Sequence, residues 1–240
     1  MSIRKVLAIL ISTAISIAGV IAAYIFIVRP QHLRWGSTDE EIDLELPGDD
    51  LVKEPKLSAT HAIDIKASPS AVWPWLVQIG QGRGGFYSYD WIENAMGLDI
   101  HTANEIVPEH QELEVGDIIP LASDGFGIPV AIIDPQKALV LHGDTRQDDH
   151  GEQPVFKPGD FMAVSWVFFL FEMPDGSTRL VERFKADWNE AVHNTIFYRA
   201  FLEPGAFVME RRMLLGIKER AETLNERQII LNPGEDKIAV

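Results

Sequence analysis

Phenol and carboxyl side chains are concentrated in one short segment, "FYSYDWIENA", at residues 86–95. Five of its side chains are of types that orient a ligand or transfer a proton: Tyr87, Tyr89, Asp90, Trp91 and Glu93. A carboxyl group beside an apolar pocket has a shifted pKa and can serve as an acid or a base. The alternative is structural, with Asp90 and Glu93 as solvated helix residues and Tyr87 and Trp91 in the core.

Two further candidates lie outside this segment. His101 follows Asp99 closely enough for the carboxylate to orient it, which is typical of a proton shuttle and also of a histidine that only satisfies a local hydrogen bond. Glu182 shares one face of a predicted strand with Trp188, because strand side chains alternate. If that face lines a cavity, Glu182 points into it and needs a partner there; pairing with a structural arginine is the other interpretation.

No metal site and no cofactor are predicted. The densest group of nitrogen and oxygen ligands is His101, Glu105, Glu109 and His110. Pro108 interrupts any helix that would align these side chains, and their spacing matches no zinc motif. With no cysteine in the chain, thiolate ligands, thiolate nucleophiles and disulfides are excluded.

Three glycines, Gly80, Gly82 and Gly85, fit the G-x-G-x-x-G spacing of dinucleotide-binding loops. That loop binds phosphate only when it joins a strand to the N-terminus of a helix. Here a predicted helix precedes the glycines, so we expect no nucleotide binding and interpret the stretch as a helix–helix connection.

The elements that position these residues follow from local patterns. A β-prone run at 58–67 predicts a first strand, and Ser68 followed by Pro69 is a strong helix start. After residue 100 six β-prone runs follow, beginning with "EIVPE" at Glu105–Glu109, and the last two are joined by Pro174-Asp175-Gly176. Pro204 then opens a long helix, on which Met209 and Met213 begin an apolar stripe.

This order predicts an α+β helix-grip fold. A curved antiparallel sheet of about six or seven strands surrounds the long C-terminal helix, with a cavity between them. Met209 and Met213 are candidate ligand contacts, because unbranched thioethers adapt to varied apolar shapes.

The N-terminus carries the strongest compositional signal. Residues 6–28 contain no charge, and Arg4-Lys5 and Arg29 flank them. At about 1.5 Å per residue this stretch spans a hydrocarbon core, which predicts a single membrane-spanning helix. A cleaved signal peptide and a buried core helix are the alternatives. Basic residues flank both ends, and the short N-terminus favours a domain outside the cytoplasm.

All 36 acidic residues follow position 34, and the net charge of the chain is −15. A domain this acidic repels the phosphate backbone of a nucleic acid, so we expect no nucleic-acid partner. The predicted organisation is a membrane anchor at 1–34, an acidic linker or strap at 35–57, a helix-grip domain at 58–228 and a tail at 229–240.

The element order, together with "SPSAVWPWLVQIGQGRGGFYSYDWIENAMGLDIH" at residues 68–101, resembles the START-like helix-grip superfamily. More specifically, it looks like bacterial members described as SRPBCC or polyketide cyclase/dehydratase-like, over roughly Ala59 to Glu226. The resemblance implies a deep apolar cavity for lipids, polyketides or other hydrophobic molecules. It does not imply one reaction.

Three functions remain open at this stage. The first is a membrane-tethered domain that binds a hydrophobic small molecule or lipid. The second is a cyclase- or dehydratase-type enzyme that uses Tyr87, Asp90, Glu93 or His101. The third is an envelope interaction module. A wholly apolar cavity would favour carriage, whereas two titratable groups converging on the cavity would favour chemistry.

Overall fold

The computed structural model describes residues 3–147 and 160–231. Within these ranges one antiparallel sheet has six strands: β1 (Leu57–Ile65), β2 (Ile118–Pro120), β3 (Gly127–Asp134), β4 (Ala138–Asp144), β5 (Met162–Glu172) and β6 (Thr178–Trp188). Their order in space is β1-β6-β5-β4-β3-β2. Consecutive strands from β2 to β6 therefore pair with one another, and the first strand pairs with the last.

The helices are α1 (Ile3–Ala23), α2 (Arg29–His32), α3 (Asp39–Asp43), α4 (Pro69–Val77), α5 (Asp90–Ala95), α6 (Val192–Phe197) and α7 (Glu203–Leu231). A π turn at Tyr24–Val28 joins α1 to α2, and these three form the continuous N-terminal helix, Ile3–His32. A second π turn at Tyr198–Leu202 joins α6 to α7, and these form the C-terminal helix, 192–231.

The main core lies between one face of the curved sheet and two helices, α4 and α7. Leu76 of α4 and Leu214 of α7 are fully buried there against the inward side chains of β6, such as Leu180. A strand alternates its side chains, so one face of β6 supplies this core while the other faces away. This is the helix-grip fold that the sequence predicts, with six strands in the described residues.

The opposite face of the sheet is covered by residues 35–57. Leu46 packs there against Val140, Val167 and Val181 of three neighbouring strands. Arg183 of β6, on the outward face, is buried and donates hydrogen bonds to the backbone carbonyls of this segment, including that of Leu44. This segment thus contacts the outer face of the sheet through Leu46 and supplies hydrogen-bond acceptors to the buried Arg183.

The run Glu105–Glu109 is not a strand, contrary to the prediction. The buried side chain of Gln78 forms hydrogen bonds with the backbone groups of this run. Gln78 Nε2 donates to the Glu105 carbonyl at 3.2 Å, and the Val107 N–H donates to Gln78 Oε1 at 2.9 Å. Pro108, which has no N–H to donate, then opens a 3₁₀ turn.

The last helix begins before Pro204, at Val192. A proline inside a helix removes one backbone hydrogen bond and clashes with the preceding turn. Here the π turn Tyr198–Leu202 lies directly before Glu203 and Pro204. A wider turn is one way to absorb the missing bond, so the helix continues through the proline instead of starting there.

The glycine-rich loop is used for close packing. Gly85 has a φ of +70°, and a Cβ there would lie 2.8 Å from the Cα of Thr102. On α7, a Cβ on Gly216 would lie 2.2 Å from the carbonyl oxygen of Tyr87. Gly85 thus lets the loop approach the backbone at Thr102, and Gly216 lets the backbone of Tyr87 approach the C-terminal helix.

Two predictions fall partly outside the described residues. The predicted tail at 229–240 lies outside them except for 229–231, which continue the last helix, and residues 148–159 of the predicted helix-grip domain lie outside them as well. The N-terminal helix is described from Ile3, and it is long and apolar enough to cross a membrane. None of its most apolar stretch is buried by the rest of the chain, which is unlike a core helix.

Candidate functional site

A cavity of about 310 Å³ lies between the inner face of the sheet and the C-terminal helix. Its wall is formed by Phe86, Ser88, Glu93, Leu98, Leu121, Phe126, Ile128, Met162, Val164, Trp166, Phe184, Leu202, Ala206, Met209, Glu210 and Met213. Aliphatic, aromatic and thioether side chains dominate this wall. Its volume is at the lower end of the roughly 300–1,000 Å³ that small-molecule pockets occupy.

Glu93 is the first polar exception in the wall. It is 5% exposed, and Ser88 Oγ donates a hydrogen bond of 2.6 Å to its Oε1. Its other oxygen, Oε2, is buried and has no hydrogen-bond partner in the described part of the chain. Burial raises the pKa of Glu93 above its usual range, because a buried carboxylate loses its hydration.

A histidine and a glutamate form a fully buried pair next to this cavity. His61 of β1 and Glu182 of β6 are directly opposite each other in the antiparallel register. His61 Nδ1 lies 2.8 Å from Glu182 Oε2, and Trp166 Nε1 donates a 2.6 Å hydrogen bond to Glu182 Oε1. Both carboxylate oxygens of Glu182 therefore have partners.

Glu210 completes a cluster of three with this pair, which we call the acid–histidine cluster. Its Oε2 lies 3.5 Å from His61 Nδ1, and the residue is 9% exposed. Glu210 belongs to the cavity wall as well, and it also borders a second hollow of about 10 Å³ that touches His61. The acid–histidine cluster is thus continuous with the cavity through Glu210.

Two groups of the cluster, His61 and Glu210, have raised pKa values. Burial alone would lower the pKa of His61, but the neighbouring carboxylates of Glu182 and Glu210 outweigh it and raise this pKa to about 9. Burial, with the negative charge of Glu182 beside it, raises the pKa of Glu210. At neutral pH we therefore expect a cationic His61 and a protonated Glu210.

The cluster is also attached to the end of the N-terminal helix. His61 Nε2 lies 2.8 Å from the backbone carbonyl oxygen of His32. The ring of Phe207 on α7 packs against the rings of His32 and His61, with centroid distances of 5.3 Å and 5.6 Å. Glu203, one turn before Phe207 on α7, accepts two hydrogen bonds from Arg29, at 2.6 Å and 3.0 Å. Side chains of the C-terminal helix thereby hold the N-terminal helix in place.

The structure distributes the ten sequence-predicted site residues over three environments. Glu93, Met209 and Met213 line the cavity. Glu182 is in the acid–histidine cluster, and its partner is a histidine, not an arginine. Trp188 is buried outside the cavity wall, where its ring stacks on Tyr198 at 4.4 Å.

The other five lie outside the cavity wall. The hydroxyl of Tyr87 donates to the Trp75 carbonyl at 2.9 Å in the core, and Asp90 accepts two hydrogen bonds from Thr102. Trp91 is 72% exposed. The two remaining residues are partly or fully exposed and lie outside the cavity wall: Tyr89 and His101.

Sequence reasoning missed His61 and Glu210. Glu210 carries a signal, because the buried positions Met213, Ile217 and Ala221 extend backwards by three residues to this glutamate. A carboxyl group on a buried stripe is unusual enough to single out. His61 carries no comparable local signal, since its partner is 121 residues away in the sequence.

No protein-family model matches the chain, and no curated protein matches it. Solved structures similar to it include a polyketide_cyc-like protein from Corynebacterium glutamicum, which is 14% identical, with 77% of this chain and 98% of that chain covered and a TM-score of 0.31. Ara h 8.0201 is 14% identical, with 71% and 97% covered and a TM-score of 0.32.

The Aha1 dimer from Colwellia psychrerythraea is also similar, at 20% identity, with 69% of this chain and 96% of that chain covered and a TM-score of 0.37. Identities of 14% to 20% describe likeness of fold alone. The function of this chain is therefore argued from its own site.

Proposed function

We propose that this protein is a membrane-tethered domain that binds a hydrophobic small molecule or lipid in the cavity between sheet and C-terminal helix. The observation that carries the proposal is the cavity of about 310 Å³ with an almost entirely apolar wall. Ligand sites combine such walls with a few fixed polar groups that orient the ligand. Glu93, with its free Oε2, would be one such group here.

The N-terminal helix supports the tether. Residues 6–28 are uncharged and uncovered, and Arg29 follows them directly, at the level where a spanning helix meets the lipid headgroups. Arg29 is bound to Glu203, so the adjacent part of the C-terminal helix is at the same level.

An exposed apolar patch on that part of the C-terminal helix fits a membrane surface. Its members are Val192, Ile196, Phe197, Phe201 and Val208. Large apolar side chains grouped on one exposed helix are unusual in a water-facing domain and typical of helices in the interfacial layer of a bilayer. Leu202, Ala206 and Met209 of the same helix line the cavity, so a ligand would pass a short way from bilayer to cavity.

Filling the cavity tests this function. We expect Met213→Trp, in the full chain purified in detergent, to weaken binding of the apolar probe N-phenyl-1-naphthylamine by about tenfold or more, or about 1.4 kcal/mol. Native mass spectrometry counts bound probe per chain and is insensitive to probe dissolved in micelles. Met96→Trp is the matched control, because Met96 is exposed and outside the cavity wall.

Thermal unfolding of the same samples shows whether the C-terminal helix borders a cavity or packs against a solid core at Met213. Lost probe binding with near-normal stability supports the cavity. Overpacking of a solid core would instead cost about 1–3 kcal/mol. Destabilisation of that size, with no probe bound to the parent protein, would refute the proposal.

Acid–base catalysis is a second candidate, because two carboxyl groups of raised pKa, Glu93 and Glu210, reach the cavity wall. A protonated carboxyl group in an apolar site can protonate a bound hydroxyl and assist its loss as water. For an enzyme of this kind we expect Glu93→Gln to slow turnover by about 10²–10⁴-fold. Its co-purifying ligand, identified by mass spectrometry, would then be heavier by one water than that of the parent protein. A simple binding protein would carry the same ligand in both.

A further inference from the structure

Glu210 has no adequate partner for a buried carboxyl group. No hydrogen bond to its carboxyl group is found among the described residues, and its nearest polar contact, 3.5 Å away, is His61 Nδ1. That nitrogen is already engaged with Glu182 at 2.8 Å. Glu210 also borders the cavity, so its carboxyl group is open on that side to a further partner such as a water or an ion.

Three ligand atoms of this cluster converge on one point. His61 Nδ1 and a carboxylate oxygen from each of Glu182 and Glu210 all lie within 4.8 Å of one another. Around a tetrahedral ion with bonds of about 2.0–2.1 Å, ligand atoms lie about 3.3 Å apart. The two separations from Nδ1, 2.8 Å and 3.5 Å, bracket that value, and the third, between the two carboxylate oxygens, is at most 4.8 Å.

The groups around these ligands are arranged as they are around metal sites. His61 Nε2 faces the carbonyl oxygen of His32, which fixes the proton on Nε2 and leaves Nδ1 as the metal-binding nitrogen. Trp166 occupies Oε1 of Glu182 and leaves Oε2 for the ion. Outer hydrogen bonds of this kind orient ligating histidines and carboxylates in metalloproteins.

We propose that His61, Glu182 and Glu210 bind a divalent transition-metal ion, with zinc as the best fit. One imidazole and two carboxylates are ligands that zinc accepts, and the two negative charges match the charge of the ion. Binding releases the Nδ1 proton of His61 and the carboxyl proton of Glu210 to water as the three bonds to the ion form. The fourth position would be taken by water or by a polar group of the ligand, since Glu210 also borders the cavity and the 10 Å³ hollow.

The test is metal analysis of the full chain, purified in detergent without a histidine tag. After removal of metals with a chelator and dialysis against zinc, we expect one zinc per chain by mass spectrometry of the elements. Cobalt(II) in its place is expected to give the visible absorption bands of a four-coordinate site. Zinc is also expected to raise the melting temperature, because an ion that binds only the folded chain stabilises it.

Glu210→Gln is expected to weaken zinc binding by about 100-fold or more, because it removes a direct ligand and a charge. The matched control is Glu93→Gln, which changes a buried carboxyl group of the same cavity wall outside the cluster and is expected to bind zinc normally. Binding of N-phenyl-1-naphthylamine is measured on the same variants. Zinc binding then reports on the metal site and probe binding reports on the cavity, so one proposal can fail without the other.

A parent protein that retains no zinc, with an unchanged melting temperature, would overturn the proposal whatever the variants do. Equal zinc binding by the parent protein and Glu210→Gln would do so as well. In either case the cluster would be a proton-sharing ion pair without a metal.

Discussion

A chain with Glu182→Leu is expected to lose about 3–5 kcal/mol of unfolding free energy in metal-free buffer. The substitution removes the acceptor of two buried hydrogen bonds, from His61 at 2.8 Å and from Trp166 at 2.6 Å. A cationic imidazole and an indole N–H would then be buried facing leucine, and a buried charge without its partner is strongly unfavourable. Urea unfolding of the full chain in detergent, followed by tryptophan fluorescence, measures the loss.

Three variants show whether the loss comes from the ion pair. Glu182→Gln keeps an acceptor for Trp166 and is expected to cost less. The double substitution His61→Leu with Glu182→Leu is expected to regain part of the loss, because replacing a whole buried pair with apolar residues is often neutral. Glu172→Leu, at an exposed strand end, is expected to change stability by about 0.5 kcal/mol at most. A Glu182→Leu chain as stable as Glu172→Leu would contradict the importance of the pair.

Much of the fold could be predicted, because local patterns and the long-range packing agree. Ser68 and Pro69 mark the start of α4, which begins at Pro69. The alternation along β6 separates Leu180, which is buried in the core, from Arg183, which donates hydrogen bonds to the segment at 35–57. In the first case the residue types mark where the helix begins, and in the second the period of two separates the two faces of the strand.

In both wrong predictions, structure outside the run itself overrides its local preference: a distant side chain in the first case and the adjoining π turn in the second. The β-prone run Glu105–Glu109 has the composition of a strand, but the side chain of Gln78 takes its hydrogen bonds. Pro204 looks like a helix start, yet the helix extends back to Val192 because a π turn accommodates the proline.

The site was predictable only in part for a related reason. Period-two alternation correctly places Glu182 on the inner face, opposite in direction to Arg183, which therefore cannot be its partner. Its actual partner, His61, is fixed by the register between β1 and β6, and register depends on the whole sheet. The aromatic candidate Tyr87 was equally suited to the core, where Trp75 accepts its hydrogen bond.

Between pH 6.5 and pH 9 the metal-free chain is expected to lose about 2–3 kcal/mol of unfolding free energy through His61 alone. The folded chain holds the His61 proton up to a pKa of about 9, whereas the unfolded chain releases it near 6.5. The folded state therefore binds more protons over this interval, and stability that is fully present below 6.5 disappears as the pH rises through 9. The raised pKa of Glu210 adds a loss of the same sign, because the unfolded chain has already released that proton.

Urea unfolding at several pH values checks this prediction, and two histidine variants assign it. His61→Gln is expected to remove the part of the pH dependence that comes from His61 and to leave the part that comes from Glu210, whereas His193→Gln, at an exposed histidine, is expected to leave the pH dependence unchanged. Tyr198, whose pKa burial raises to about 12, keeps its proton in the folded chain throughout this range. A parent chain whose stability stays constant or rises from pH 6.5 to pH 9 would mean that His61 is neutral when buried. The cationic state argued for His61 in the acid–histidine cluster would then be wrong.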